Sequence, residues 1–420
     1  MIYTILLLLI LFASPSLAAE VVVVQQAART TTGTQDFTSS GFGTPKAAMC
    51  MVGFGATNGT SVSHGVFSIG FTDGTRQNAL SVRTKNGVTT TLTGRRADTT
   101  DILLIADQDQ TVVMRVQFSS WITDGVRLNY SVAPATGYQV SCTLFGGAGI
   151  SNAYVDTVST PATVDTSTTV STVGFQADLI IGGVNGDGTY NNSNQAQGDL
   201  SVGFALRGGS QKSVRFFDVT GVTTTALVSR NLSNRIGQSG SNTQQIEIQN
   251  FTSSGFDATT RGAAAAATLG YLALQFNGVT ANVMAVDSPT ATGSQSISGI
   301  GFTPQWGMLV GSSMQAIDTN VNDTDAEAWG ISSFTASAQS CFAIASADGV
   351  TTSVTESLTD TKPICLRKSA GVFYSASFTS FGSGTTTFNY ATADGTTRKW
   401  IGLFLQQVTT GSAVGRRRVQ

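Results

Sequence analysis

The feature that most constrains this chain is a spacing. Phe42 and Phe118 are 76 residues apart, and the same 76 residues separate Phe175 from Phe251 and Phe302 from Phe378. The first member of each pair sits in a Gly-Phe dipeptide, in GFGTPKAAMCMVG from Gly41, GFQADLIIGG from Gly174 and GFTPQWGMLVG from Gly301. The second opens FSSWITDGVRLNY, FTSSGFDATTRG and FTSFGSGTTTFNY. Thr and Ser make up about a quarter of the 420 residues, so one such match is cheap. The same interval found three times is not a product of composition. Tyr138, Tyr271 and Trp400 begin the closing apolar stretches YQVSCTLF, YLALQF and WIGLFL, and the lead-ins VVVVQQAARTTTG, VDTVSTPATVD and VMAVDSPTATG also correspond. The chain therefore reads as an internal triplication over 20–148, 149–279 and 280–409, with a basic tail at 410–420 that carries Arg416, Arg417 and Arg418.

Alternation with period two marks strands. Phe67, Ile69 and Phe71 alternate with Ser68 and Gly70, and Leu200, Val202, Phe204 and Leu206 follow the same rule. So do Met114, Val116 and Phe118 against Arg115 and Gln117, and Tyr374, Ala376 and Phe378 against serines. Each such strand is expected to bury one face and solvate the other. Asn-Gly at Asn58, Asn86, Asn185 and Asn277, and Asp-Gly at Asp73, Asp124, Asp187, Asp348 and Asp394, suit tight turns between short strands. No segment has a convincing amphipathic helical period. The run Ala263 to Ala267 is read as a strand edge, because its repeat partners LNYSVAPAT and FNYATADGT look like strands. The expected fold is all-β, with three tandem antiparallel β-sandwich domains of jelly-roll-like form.

Only 11% of residues are charged, against roughly 25% in ordinary soluble domains. With 23 basic residues facing 25 acidic ones, electrostatic binding of nucleic acid is excluded as the main activity. Residues Ile5 to Phe12 read ILLLLILF and are followed by Ala13, Ser14, Ser16, Ala18 and Ala19. This is the pattern of a cleaved signal peptide over 1–19, although the segment before the apolar run has no Lys or Arg. The run is short of the ~20 apolar residues that span a bilayer. The chain is expected to be exported, with no stable membrane span after cleavage. Cys50, Cys142, Cys341 and Cys365 form no Cys-x-x-Cys pair. In an oxidising compartment, pairing within units, Cys50–Cys142 and Cys341–Cys365, is the simplest use, with four buried free thiols as the alternative.

Catalytic constellations are scarce. His64 is the sole imidazole, so Ser-His-Asp chemistry and His-rich zinc sites have little to draw on. Glu20, Glu247, Glu327 and Glu356 are the only glutamates, and nothing selects a pair for glycoside hydrolysis from these or from Asp107 and Asp109. The segment DTNVNDTDAE brings together Asp318, Asn320, Asn322, Asp323, Asp325 and Glu327. Alternating oxygen side chains of this kind suit calcium, although the spacing is not that of an EF-hand. The corresponding loops hold Asn185, Asp187, Asn191 and Asn192 in the second unit and only ATNGTSVS in the first. Calcium is thus a candidate for one unit, with a solvated polar turn as the plain alternative and no other cofactor implied. Trp121, Trp306 and Trp329 are candidate platforms for stacking a sugar, while Trp400 reads as core.

The recurring phrase, Gly-Phe followed by a polar pair and an apolar strand ending in Gly, resembles repeats of phage virion structural proteins of the tail and capsid-appendage kind. That resemblance implies a virion-surface or appendage role with no catalytic residues to carry over. The expectation is a non-enzymatic extracellular or virion-surface protein, structural or adhesive, whose partners are itself or other structural proteins. Repeated surfaces gain by avidity. A secreted carbohydrate-binding protein that takes cell-surface glycans is the alternative, and a polysaccharide depolymerase a third reading.

Overall fold

The computed structural model describes residues 20–406, apart from 187, 189, 227–229, 241–243, 263–265, 319–326 and 369–370. The signal-like segment 1–19, the tail 410–420 and most of the alanine run lie outside the described residues. Ala266 and Ala267 are not in a strand. Among the described residues every regular element is a β-strand, and all strand pairs are antiparallel. No described helix is long and apolar enough to cross a membrane.

In the first stretch the strands are β1 (Val21–Ala27), β2 (Gly33–Thr38), β3 (Ala47–Gly53), β4 (Ser61–Ser63), β5 (Gly65–Thr72), β6 (Gln77–Thr84), β7 (Thr93–Asp98), β8 (Leu103–Ala106), β9 (Val112–Ile122), β10 (Gly125–Val132) and β11 (Gln139–Phe145). A large sheet runs β1-β11-β3-β5-β6-β7, and a small sheet runs β2-β10-β9-β8. The stretches from Ile150–Ser159 to Thr268–Phe276 and from Thr280–Asp287 to Lys399–Gln406 repeat that order strand for strand. A jelly roll sends successive strands back and forth between its sheets. Here β3, β5, β6 and β7 stay in the large sheet as a meander and β8, β9 and β10 in the small one, so the jelly-roll expectation is corrected. Only the ends wrap, with β1 beside β11 and β2 beside β10.

The 76-residue interval has a structural reason. The Gly-Phe loop of each stretch sits on the hairpin that joins its two long small-sheet strands. Gly41, Gly174 and Gly301 have φ of +80°, +78° and +90°, a left-handed turn that Gly adopts without a Cβ penalty. Hydrogen bonds tie this segment to the hairpin, with Ser39 N donating to Asp124 O at 2.8 Å, Gly174 N to Ser254 O at 3.0 Å and Gly384 N to Phe302 O at 3.0 Å.

Each pair of sheets encloses its own apolar cluster. Tyr138 lies in the first, Tyr271 in the second and Trp400 in the third. A fourth cluster joins all three stretches: Phe67, Ile69 and Leu80 meet Leu200, Val202 and Phe216, and both sets meet Trp306, Trp329 and Ile344. The large sheets are therefore buried on both faces, and every residue of β5 is buried. The expected solvated face of the Phe67 and Leu200 strands does not exist. The small sheets do alternate, with Met114 and Val116 buried and Arg115 and Gln117 partly exposed.

Both expected cysteine pairs are bonded. Cys50 on β3 and Cys142 on β11 are cross-strand partners joined by a disulfide, and Cys341 is joined to Cys365.

Candidate functional site

The loops that follow the fifth large-sheet strand of each stretch carry one phrase three times: Gly87-Val-Thr-Thr-Thr91, Gly221-Val-Thr-Thr-Thr225 and Gly349-Val-Thr-Thr-Ser353. The three glycines have φ of +76°, +76° and +67°. The last residue of each phrase is buried, and it docks on the Gly-Val of the next loop. Thr91 N donates to Val222 O at 2.9 Å and Gly221 N to Thr91 O at 2.8 Å. Thr225 does the same with Val350 and Gly349, and Ser353 with Val88 and Gly87. The hydroxyls reinforce the ring by accepting the valine N–H groups: Val222 N to Thr91 Oγ1 at 3.1 Å, Val350 N to Thr225 Oγ1 at 3.0 Å and Val88 N to Ser353 Oγ at 3.1 Å. First stretch grips second, second grips third, and third grips first. The cycle closes and displays the exposed pairs Thr89 and Thr90, Thr223 and Thr224, and Thr351 and Thr352 as an uncharged crown. Sequence reading missed this motif, although its threefold recurrence was there to be found.

A second cycle runs the other way. β4 pairs with Thr355–Asp360 of the third stretch, extending that sheet at its edge. Gln195–Ala196 of the second pairs with β7 of the first. Asp318 of the third donates its N–H to Asn231 O of the second at 2.8 Å. These arms grow from the loops compared above for calcium. Asp318 directs its carboxylate at Ser233, accepting from Ser233 N at 3.0 Å and from the Ser233 hydroxyl. Asn191 and Asn194 are likewise used against the first stretch, where Arg83 donates to Asn194 Oδ1 at 2.6 Å. Asn320, Asn322, Asp323 and Asp325 lie outside the described residues, as does the side chain of Glu327. Among the described residues no three acidic, His or Cys side chains are grouped to hold a metal.

Trp306 and Trp329 are fully buried in the shared core, which corrects their reading as stacking platforms. Trp306 Nε1 donates to Ser333 Oγ at 2.9 Å. Trp121 is half-buried and packs edge-on against Phe118. His64 has φ +76° and accepts from Asn86 N at 3.0 Å through Nδ1. Burial pulls its pKa down, with Lys85 adding to the shift. Among the described residues its ring hydrogen-bonds to no Ser, Thr or Cys side chain. Glu247 is held by Arg235 and Arg261. Asp107 caps its own turn by accepting from the N–H groups of Asp109 and Thr111, both at 2.9 Å.

One open polar cleft of about 230 Å³ lies between the first two stretches, lined by Thr75, Arg76, Gln77, Thr99, Asp156 and Thr157. Arg76 stands over the Tyr154 ring at 4.2 Å and meets Asp73 only at 3.5 Å. It leaves a half-exposed guanidinium among three threonines. Comparison with protein families, curated proteins and solved structures finds no match to this chain.

Proposed function

We propose that the chain is a non-enzymatic structural or adhesive protein of a virion surface or the extracellular space. In this reading three copies of one β-sandwich close into a ring, so that a single chain presents the threefold surface that other systems build from three subunits. The closed double cycle of clasps and arms carries the proposal. It ties the three units together and spends their recurring loops on one another rather than on a reaction centre. An uncharged crown with repeated hydroxyls and methyls suits packing against other structural proteins or against further copies of the chain. The two disulfides, in a chain with a signal-like N-terminus, favour an oxidising compartment. Electron microscopy of the purified protein, with antibody labelling of particles that contain it, tests the reading. Regular assemblies or labelled particle surfaces are expected. Release of reducing ends from polysaccharide substrates would overturn it in favour of the depolymerase.

A second reading rests on the Arg76 cleft, whose size and hydroxyl lining suit a sugar. A glycan array distinguishes it. Saturable binding that is lost in Arg76→Ala makes the protein a lectin, and a blank array leaves the structural role.

A further inference from the structure

The three repeats solve the same packing problem with different residues, and one solution does not belong in a core. The equivalence is fixed by two glycines. A Cβ on Gly70 would lie 1.9 Å from Ile102 O and 2.4 Å from Asn78 O, and one on Gly203 would lie 2.2 Å from Ile236 O and 2.6 Å from Lys212 O. Counting from these glycines along paired strands, Val66 and Ser81 of the first repeat match Asp199 and Arg215 of the second. Strand order and register place Ala328 and Ala343 there in the third. All of these face the space between large and small sheets, because their neighbours Leu200, Val202, Val214 and Phe216 belong to the shared core. The fold is satisfied there by small, uncharged side chains in two cases out of three.

In the second repeat Arg215 and Asp199 are both 0% exposed, with Arg215 Nε donating to Asp199 Oδ1 at 2.8 Å. Asp199 is completed by Gly240 N, which donates to Oδ2 at 2.9 Å. Arg215 is not completed: Nη1 and Nη2 are buried and have no hydrogen-bond partner among the described residues. Its cross-strand neighbours repeat the deficit. On one side stands Ser201, whose hydroxyl is buried and unpartnered, and on the other Arg230, whose Nε is buried and unpartnered. Ser213, two residues along the strand, has a second unpartnered hydroxyl. Neighbouring strands are about 5 Å apart, so Ser201, Arg215 and Arg230 form one row across three strands, with Ser213 beside it along the middle strand. Two guanidiniums directly opposite each other repel, and buried N–H groups without acceptors are costly. Every unpartnered group in the row can donate a hydrogen bond, and the two nearby carboxylates are already engaged, Asp199 by Arg215 and Gly240 N and Asp318 by Ser233.

We infer that the second repeat holds a buried site for a small inorganic anion of the chloride class, bound by Arg215 Nη1 and Nη2, Arg230 Nε and the Ser201 and Ser213 hydroxyls. The site is independent of the proposed structural role.

The test uses the full chain in sodium bromide and sodium chloride against sodium fluoride at equal ionic strength. Broadening of the 35Cl resonance in the presence of protein, reversed by bromide, is expected together with a rise in Tm of several degrees. An anomalous bromide peak within hydrogen-bonding distance of Arg215 locates the ion. The double substitution Asp199→Val with Arg215→Ser installs the residues of the first repeat, so no buried charge is stranded, and it is expected to abolish both the broadening and the halide-dependent shift. Wild-type protein that shows neither effect, or a double variant that keeps both, would overturn the inference. The wild-type measurement decides the matter even if the double variant fails to fold.

Discussion

Asp218 is wholly buried where the second stretch meets the third. Ser346 Oγ donates to its Oδ2 at 3.2 Å, and Oδ1 has no hydrogen-bond partner among the described residues. Burial raises its pKa to about 8, with a smaller contribution from the charge of Asp348. The sign of the consequence follows from linkage. Below about pH 4 the carboxyl is protonated whether the chain is folded or not. As pH rises the unfolded chain releases this proton while the folded one retains it, so stability is lost progressively until about pH 8 and no further above it. Asp218→Asn is expected to flatten this fall and to raise stability at pH 8 by on the order of a few kcal/mol. Urea unfolding of both proteins from pH 4 to 9 measures it, and parallel curves would remove Asp218 as the cause. The clasp residues give a second expectation. Thr225→Val strands the N–H of Val350 and is expected to cost about 1–3 kcal/mol. Thr225→Ser is expected to be close to neutral, because Ser353 already fills the same role in the third loop. Equal losses from both substitutions in denaturant titrations would mean that the hydroxyl is not what matters.

At the level of strands, what could be read from the chain depended on which sheet a strand joined. Met114 and Val116 alternate with Arg115 and Gln117 because that strand has water on one side, so the period was a faithful guide. Phe67, Ile69 and Phe71 alternate just as cleanly with Ser68 and Gly70, yet both faces are buried. The small residues mark close approach, not solvation: Ser68 Oγ accepts from Leu104 N at 3.2 Å, and Gly70 faces a carbonyl oxygen. A period of two cannot separate these cases, since Ser and Gly look polar in either. Trp306 and Trp329 were misread for the same reason, because the surface that covers them comes from distant repeats. The cysteines were legible because each pair falls inside one repeat. Replacing Cys50 and Cys142 together by Ala opens a span of 92 residues and is expected to cost about 2–5 kcal/mol. The pair 24 residues apart, Cys341 and Cys365, is expected to cost less. Equilibrium unfolding of the two double variants compares them. Phe67→Ala, which empties a place in the shared core beside Trp329, is expected to cost about 3–5 kcal/mol and to lower the unfolding transition of the whole chain rather than split it.

For the molecule as a whole, the triplication was plain in the sequence but its closure was not. Repeats in a row and repeats in a ring have the same periodicity. What distinguishes them is contact between the first and the third, and that is carried by the shared core, where Phe67 meets Trp329, by short polar phrases such as Gly-Val-Thr-Thr-Ser and by the arm Ser61–Ser63. Closure also brings hydroxyls of the first and third stretches together: Ser340 and Ser333 face Ser141 and Thr143 of the first, both at 2.7 Å. Small-angle X-ray scattering of the monodisperse protein separates ring from row directly. A closed, single-bodied chain of this length has a radius of gyration of about 21 Å. Three such units strung end to end would give about 33 Å with a maximum dimension to match, and that result would contradict the closed ring.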